Sequence, residues 1–288
     1  MGERSVESLY DQVRAAVGVA HDESVPTLTE VAPGIRVLAL RTPTLPPAAH
    51  TNVYLVGPAG GPVVVVDPGS PYPDQQARLD EELAKLPVAA VLLTHHHGDH
   101  TGGVAALAAR WSVPIAAHAG TAKRLEGIVE VTQLLDDGEV VHGATCVFTP
   151  GHAEGHLCFE VGGATIAGDM VAGLGTILID PDEGDMALYL DSLEKLRARP
   201  ETILLPAHGP AIPAGHAKLT EYLSHRRMRE QRVLDAVTVG GTVDELVARA
   251  YADTPAPLWP LAQRSVLAHL VKLAREGRVR EASGRWSL

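Results

Sequence analysis

Short runs of branched aliphatic residues recur along the chain, each cut off by glycine, proline or a polar residue. That pattern predicts buried strands. Ile35 to Leu40, Thr51 to Val56, Val63 to Val66 and Val88 to Leu93 are expected strands, divided by turns such as Gly57 to Pro62. Leu79, Leu83 and Leu86 share one face of a helix predicted over Asp74 to Leu86, and the Ala-rich stretch Val104 to Arg110 predicts another. The second half repeats the scheme, with strands from about Thr145 to Ala167. A helix from about Met186 to Arg199 then carries Leu188, Leu193 and Leu196. Two strand-rich halves, each followed by helices, predict an α/β protein with two sheets packed face to face and helices outside.

From Ala217 the pattern turns helical. Leu219 to Val237 runs without proline, and Thr242-Val243-Asp244-Glu245 has the form of a capping box opening a second helix. A third is expected over about Leu261 to Glu276, stopped by Gly277. Arg278 to Leu288 alternates around Ser283-Gly284 as a hairpin would. Helices followed by a terminal hairpin resemble a winged helix. The expected organisation is a helical N-terminal extension over 1–25, a catalytic domain over 26–217 and a winged-helix-like domain over 218–288.

Charge follows that division. Residues 1–217 hold 12 Lys and Arg against 27 Asp and Glu, a balance of −15; residues 218–288 hold 12 against 8, a balance of +4. A basic tail domain on an acidic body points to a division of labour, with nucleic-acid contact through 218–288 as one expectation. The acidic body itself disfavours a polyanionic substrate. Aromatic residues make up 4% of the chain, so Val, Leu and Ala must fill the core. Cys146 and Cys158 are too few for a disulfide framework and lie inside strand-like runs, as buried free thiols would. Met1 to Glu23 is charged throughout and has no apolar stretch of signal-peptide type. Val161 to Ile179 comes nearest to a membrane span, but its glycines and central Asp169 predict strand-turn-strand in a core. No membrane association is expected, and the cytoplasm is the expected compartment.

The chemistry concentrates in His95-His96-His97-Gly98-Asp99-His100, at the end of an expected strand. His95 and His97 share a face of an extended chain, and Gly98 lets Asp99 and His100 turn toward a neighbouring site. His152, Asp169 and His208 each follow another short apolar run and a Gly or Pro turn. These residue types suit Zn2+, with Mn2+ or Fe2+ as alternatives, because no thiolate is placed to select a softer metal. Two cations per chain are expected: one on His95, His97 and His152, a second on Asp99, His100 and His208, with Asp169 bridging. Such a pair lies about 3.5–4 Å apart and lowers the pKa of a bridging water toward about 7, giving a hydroxide nucleophile for hydrolysis. Asp99 or a water on the metal is the candidate proton donor to the leaving group, and His156 is expected to bond or orient substrate, or to hold a ligand in place. Asp67 ends a strand, where it would act as a ligand, orient one, or simply bond loop amides. His96 points away from its neighbours and is expected to be structural, and His118 to be a satisfied loop histidine. His50 and His225 are weaker candidates for the pocket.

Thr94 to His100, Pro150-Gly151-His152, Gly168-Asp169 and Ala207-His208-Gly209-Pro210 resemble the metal motifs of the metallo-β-lactamase fold superfamily. The resemblance implies an αββα sandwich with a dinuclear site along one edge and the ligand roles given above. An aspartate at 169 points away from true β-lactamases and toward the glyoxalase II-like branch. Thr51 to Val56, Leu223-Ser224-His225-Arg226 and Arg229-Glu230-Gln231, with the winged tail, resemble the β-lactamase-like protein 2 group over nearly the whole chain. That group implies hydrolysis of single-stranded RNA phosphodiesters or of thioesters and esters. A glyoxalase II-like acyl-thioesterase or lactonase is the alternative enzyme. A winged-helix nucleic-acid-binding protein on a metal-stabilised scaffold is the non-enzymatic alternative. In the enzyme, the tail would cover the pocket or pair two copies as a homodimer.

Overall fold

The computed structural model describes residues 6–17 and 27–288. Within the expected N-terminal extension it contains helix α1 (Val6–Val17); residues 1–5 and 18–25 of that expectation lie outside the described residues. Strands β1 (Thr29–Ala32), β2 (Ile35–Arg41), β3 (His50–Val56), β4 (Val63–Val66), β5 (Val88–Leu92), β6 (Ile115–Ala117) and β7 (Gln133–Leu134) form one sheet in that spatial order. The pairing is antiparallel as far as β4 and parallel from β4 to β7. Helices α2 (Pro73–Leu83), α3 (Gly98–Thr101), α4 (Val104–Trp111) and α5 (Ala119–Arg124) occupy the connections. The second sheet has the order β12-β11-β10-β9-β8. Its strands are β8 (Val140–Val141), β9 (Ala144–Phe148), β10 (Leu157–Val161), β11 (Ala164–Gly168) and β12 (Ile203–Pro206), with α6 (Met186–Arg197) between the last two.

Alternation along the strands explains the layers. Tyr54, Val56, Val64 and Val66 point inward to meet Cys146, Phe159, Ile166 and Leu205 of the other sheet. Their neighbours Val53, Leu55, Val63 and Val65 point outward against Leu79 and Leu83 of α2 and Val104 and Leu107 of α4. An all-valine strand buried on both faces is what a sheet covered by helices requires. On the far side of the second sheet, Met186, Tyr189, Leu193 and Leu196 of α6 pack with Leu219 and Leu223. Leu188, expected on that apolar face, is instead 46% exposed. The two sheets with helices outside are thus as expected.

Element ends differ where local chemistry intervenes. The helix expected to reach Leu86 stops at Leu83, short of Pro87. Helix α7 (Gly215–Val237) contributes Leu219, Tyr222 and Leu223 to the core behind the second sheet. Its other end gives Val233, Ala236 and Val237 to a separate core with α8 (Val243–Ala250), α9 (Trp259–Arg275) and the hairpin β13 (Arg280–Ala282) and β14 (Arg285–Ser287). One continuous helix therefore serves both cores. The capping box at Thr242 and Glu245 forms as expected. Both cysteines are buried and free, and burial pushes their thiols up, to about 11 for Cys146 and about 12 for Cys158. Among the described residues, no helix is long and apolar enough to cross a membrane.

Candidate metal centre

Every candidate ligand follows the carboxyl end of a strand, where an α/β fold leaves an open crevice. Asp67 ends β4, His95 to His100 follow β5, His152 follows β9, Asp169 follows β11 and His208 follows β12. Gly69 lets the histidine segment dock, since a Cβ there would lie 1.7 Å from the Asp99 carbonyl oxygen. Gly168 has φ +48°, and its Cβ would meet His156 Nε2 at 2.6 Å. The turn that aims Asp169 inward thus depends on a glycine.

The fold brings these residues into two adjoining groups. His95 Nε2, His97 Nδ1 and His152 Nε2 form a triangle with edges of 2.9, 3.0 and 3.2 Å. Beside it stand Asp99, His100 and His208, with His208 Nε2 3.5 Å from Asp99 Oδ2. Asp169 lies between: Oδ2 is 3.4 Å from His152 Nε2, while Oδ1 is 3.4 Å from His208 Nε2 and 3.6 Å from His100 Nε2. One carboxylate thus offers an oxygen to each group.

The outer nitrogens determine which atoms carry protons. His152 Nδ1 donates to the Leu178 carbonyl at 2.9 Å and His208 Nδ1 to the His50 carbonyl at 3.0 Å. His100 Nδ1 donates to Asp67 Oδ2 at 2.8 Å. Thr94 spends its hydroxyl proton on the same carboxylate at 2.6 Å, so its oxygen accepts from His95 Nδ1 at 3.0 Å. In all four Nε2 turns inward, where it offers a lone pair to a cation once the ring is neutral, and His97 turns Nδ1 inward with Nε2 toward Glu183. Among the described residues, His100 Nε2 and Asp169 Oδ1 are buried with no hydrogen-bond partner. Bare nitrogens about 3 Å apart repel one another, whereas ligands at about 2.0–2.1 Å from a tetrahedral cation take such spacings naturally. The donor set therefore fits divalent cations.

The two groups differ in charge. Burial and the neighbouring imidazoles hold His95 well below the usual histidine range, and burial lowers His152 to about 4. At His100 burial also opposes the charged form, but Asp99, Asp169 and Asp67 outweigh it and raise it to about 10. His208 is raised against the same burial by Asp169 and Asp99. Asp99, though buried, is held below the usual carboxylate range by His100 and His208, so it is ionised at neutral pH and accepts protons. The sign of the metal linkage follows. At pH 7 His95 and His152 are already neutral, while His100 is protonated and must lose its proton to bind a cation. Loading the Asp99-His100-His208 group should release at least one proton, with affinity rising as pH approaches about 10. Titration calorimetry in buffers of different ionisation heat measures this; identical heats in all buffers would refute it.

Three other residues take roles that the sequence left open or misjudged. Asp67 orients His100 and Thr94 and offers no oxygen to the centre. His156 is fully buried; its Nε2 accepts from the Asp169 amide at 3.1 Å, so Nδ1 donates to Thr149 Oγ1 at 2.9 Å. It cannot touch substrate and instead holds Asp169, which corrects its expected catalytic contact. His96, expected to be structural, lines the cavity and lies 2.9 Å from Glu183 Oε2. His118 caps the following turn through the Gly120 amide and stacks on Phe148, as a satisfied loop histidine does.

A cavity of about 910 Å³ opens over the centre. Its walls come from Tyr10 and Arg14 of α1, the Leu45-Pro46-Pro47-Ala48 loop, Leu125, Ile128 and Val129, and the 172–183 segment. Ile128 and Leu174 are 71% and 49% exposed at its edges. Neither Glu183 nor the α1 wall carried any signal in the sequence, because an acidic turn and a charged helix are ordinary solvent-facing features.

The Metallo-beta-lactamase superfamily pattern matches residues 46–208, and the Beta-lactamase associated winged helix domain matches residues 242–286. The chain is 30% identical over 281 residues to the beta-lactamase-like protein 2 homolog of Drosophila melanogaster, covering 89% of this chain and 93% of that one. It is 34% identical over 253 residues to lactamase-like protein vrtG of Penicillium aethiopicum, covering 81% and 78%. A beta-lactamase domain protein from Burkholderia ambifaria shares the fold with a TM-score of 0.78 at 22% identity, over 92% of this chain and 97% of that one. TTHA1623, crystallised in a di-iron-bound form, matches 64% of this chain and 96% of its own length, with a TM-score of 0.52 at 29% identity. Motifs, sheet order and winged tail agree: the chain belongs to the metallo-β-lactamase superfamily, among relatives of β-lactamase-like protein 2.

Proposed function

We propose that this protein is a hydrolase with a dinuclear metal centre, zinc being the first choice of metal, and that it cleaves an ester, thioester or lactone in a substrate with an apolar body. The observation that carries the metal reading is the inward set of imidazole nitrogens on both sides of Asp169, those of His95, His100, His152 and His208 each fixed by a partner on the far nitrogen. The di-iron form of TTHA1623 supports two cations on a related frame. His95, His97 and His152 would hold one cation, Asp99, His100 and His208 the other, and Asp169 both. Bound there, such a pair supplies a hydroxide nucleophile at neutral pH and polarises the carbonyl under attack. Asp99, ionised and facing the cavity, is placed to hold a proton on its way to the leaving group.

The cavity supports an acyl substrate over RNA. Leu45, Pro46, Pro47, Leu174, Ile177 and Leu178 line it, together with Asp11, Asp180, Asp182 and Glu183 beyond the candidate ligands. Its basic groups are Arg14, paired with Asp11, and Arg124, 3.7 Å from Glu154. Neither basic group of the wall is left without an acidic partner to take up a phosphodiester backbone. In the winged-helix domain, Arg229 and Arg232 pair with Asp253, Arg264 with Asp180 and Asp182, and Lys272 with Glu230. The basic excess of that domain is therefore spent largely within the chain.

A rate panel tests the reading: medium-chain acyl thioesters, aryl esters, lactones and single-stranded RNA, run beside metal analysis. Acyl compounds should be turned over by protein carrying two cations, with rates insensitive to salt between 50 and 200 mM. Cleavage of RNA with a steep salt dependence and no acyl turnover would overturn the substrate class. Full activity in metal-free protein would overturn the mechanism.

A further inference from the structure

His97 differs from the other inward histidines in what stands behind it. A backbone carbonyl, a threonine or Asp67 holds the far nitrogen of the others, whereas His97 Nε2 is a buried nitrogen with no hydrogen-bond partner among the described residues, 3.5 Å from Glu183 Oε1. The other oxygen of Glu183 is 2.9 Å from His96 Nε2. The carboxylate thus reaches both rings while facing the side of His97 opposite to its inward Nδ1. Glu183 sits on a tight turn: the Glu183 and Gly184 amides donate to the Asp180 carbonyl at 3.3 and 2.7 Å, and the Asp182 amide to Asp180 Oδ1 at 3.0 Å. Gly184 packs against the Gly151 and His152 carbonyls.

That turn is gripped from the winged-helix domain. Arg264 of α9 donates to Asp180 through Nε at 2.8 Å, and its other nitrogen pairs with both Asp180 and Asp182. Arg275 of the same helix pairs with Asp185, which caps α6. Asp180 is buried, so this forked contact is shielded from solvent in a way that surface ion pairs are not.

We infer that Glu183 is a positioning residue that holds the His97 ring with Nδ1 toward the metal centre, and that Arg264 sets the Glu183 turn from the winged-helix domain. A carboxylate behind a metal-bound imidazole fixes its tautomer and ring orientation and strengthens the inward nitrogen as a ligand. The winged helix then serves as the outer brace of the catalytic site. This inference rests on the metal-centre reading above.

Cobalt(II) loaded into the full-length metal-free protein tests it without any substrate. Chelator competition and the visible absorption of bound cobalt are read for wild type, Glu183→Gln, Arg264→Ala and Arg264→Lys. Glu183→Gln should weaken cobalt binding about 10–100-fold at one of the two sites and shift its visible bands, with stoichiometry at saturation still two. Arg264→Ala should move affinity and bands in the same direction by less, and Arg264→Lys should recover part of the loss. With the best acyl substrate, the Glu183 variant should lose kcat with KM little changed. Should Glu183→Gln fail to fold, Glu183→Asp, with its carboxylate drawn back by one methylene, carries the same expectation. Wild-type affinity and spectrum in the Glu183 variants would overturn the role of Glu183. A weakened Glu183→Gln beside an unaltered Arg264→Ala would remove the winged helix from it. Loss of a third cobalt equivalent would make Glu183 a ligand and overturn the positioning role. A wild-type chain that binds no cobalt would instead overturn the metal-centre reading itself.

Discussion

Asp169→Ala should lower hydrolysis by on the order of 10³-fold or more and, on the proposed two-cation centre, leave one tightly held cation in place of two. The size follows from geometry. Asp169 is the residue whose two oxygens face both groups, 3.4 Å from His152 on one side and 3.4 Å from His208 on the other. Removing it takes a ligand from each cation and a negative charge from between two positive centres. It also removes one of the carboxylates that outweigh the burial of His100 and His208, so both should titrate at lower pH in the metal-free variant. Asp169→Asn should resemble the alanine variant in cation content while keeping the turn at Gly168. Metal analysis after gel filtration and kcat/KM on the best substrate measure both effects. A variant holding two cations at the wild-type rate would show that the bridge is dispensable.

Phe159→Ala should destabilise the protein by about 3–5 kcal/mol. At roughly 2–4 °C per kcal/mol for a chain of this size, Tm should fall by roughly 6–20 °C. Phe159 is fully buried in the middle of the second sheet, with Cys146 of β9 and Ile166 of β11 as its cross-strand neighbours. The chain has two phenylalanines in all, and the inter-sheet core is otherwise mainly aliphatic side chains and alanine. The two flanking strands lead to His152 and Asp169, so cation loss on heating should begin at a lower temperature in the variant. Leu188→Ala on α6, half exposed, is the matched control and should stay within about 0.5 kcal/mol. Thermal unfolding of both variants, with and without added zinc, separates the effects; equal Tm values would refute the core assignment.

The ligand residues were legible because strand ends and tight turns are local events. An apolar run, a glycine or proline, then His or Asp can be recognised at His152, Asp169 and His208 without knowing where the strands go. His156 reads the same way, yet one turn of backbone geometry buries it behind Asp169, and no local pattern separates the two histidines of Gly151 to His156. Asp67 illustrates the same point: its position at a strand end was visible, but its work on His100 and Thr94 requires β4 and β5 to lie side by side. Glu183 was invisible. Its partner His97 is 86 residues away, and an acidic turn before a helix has an ordinary local explanation as a cap.

The sequence by itself determined the two-sheet α/β frame, the helical tail with its capping box and hairpin, and the identity of the seven residues that converge. Hydrophobic alternation and turn chemistry act over a few residues, so they are written in the chain directly. Only the tertiary structure decided which nitrogen each histidine turns inward, which of them meets solvent, and what walls the cavity over them. Those outcomes depend on hydrogen bonds and burial between segments up to 170 residues apart, as between Tyr10 and Asp180. The arrangement of strands, and not any local preference, brings such partners into reach.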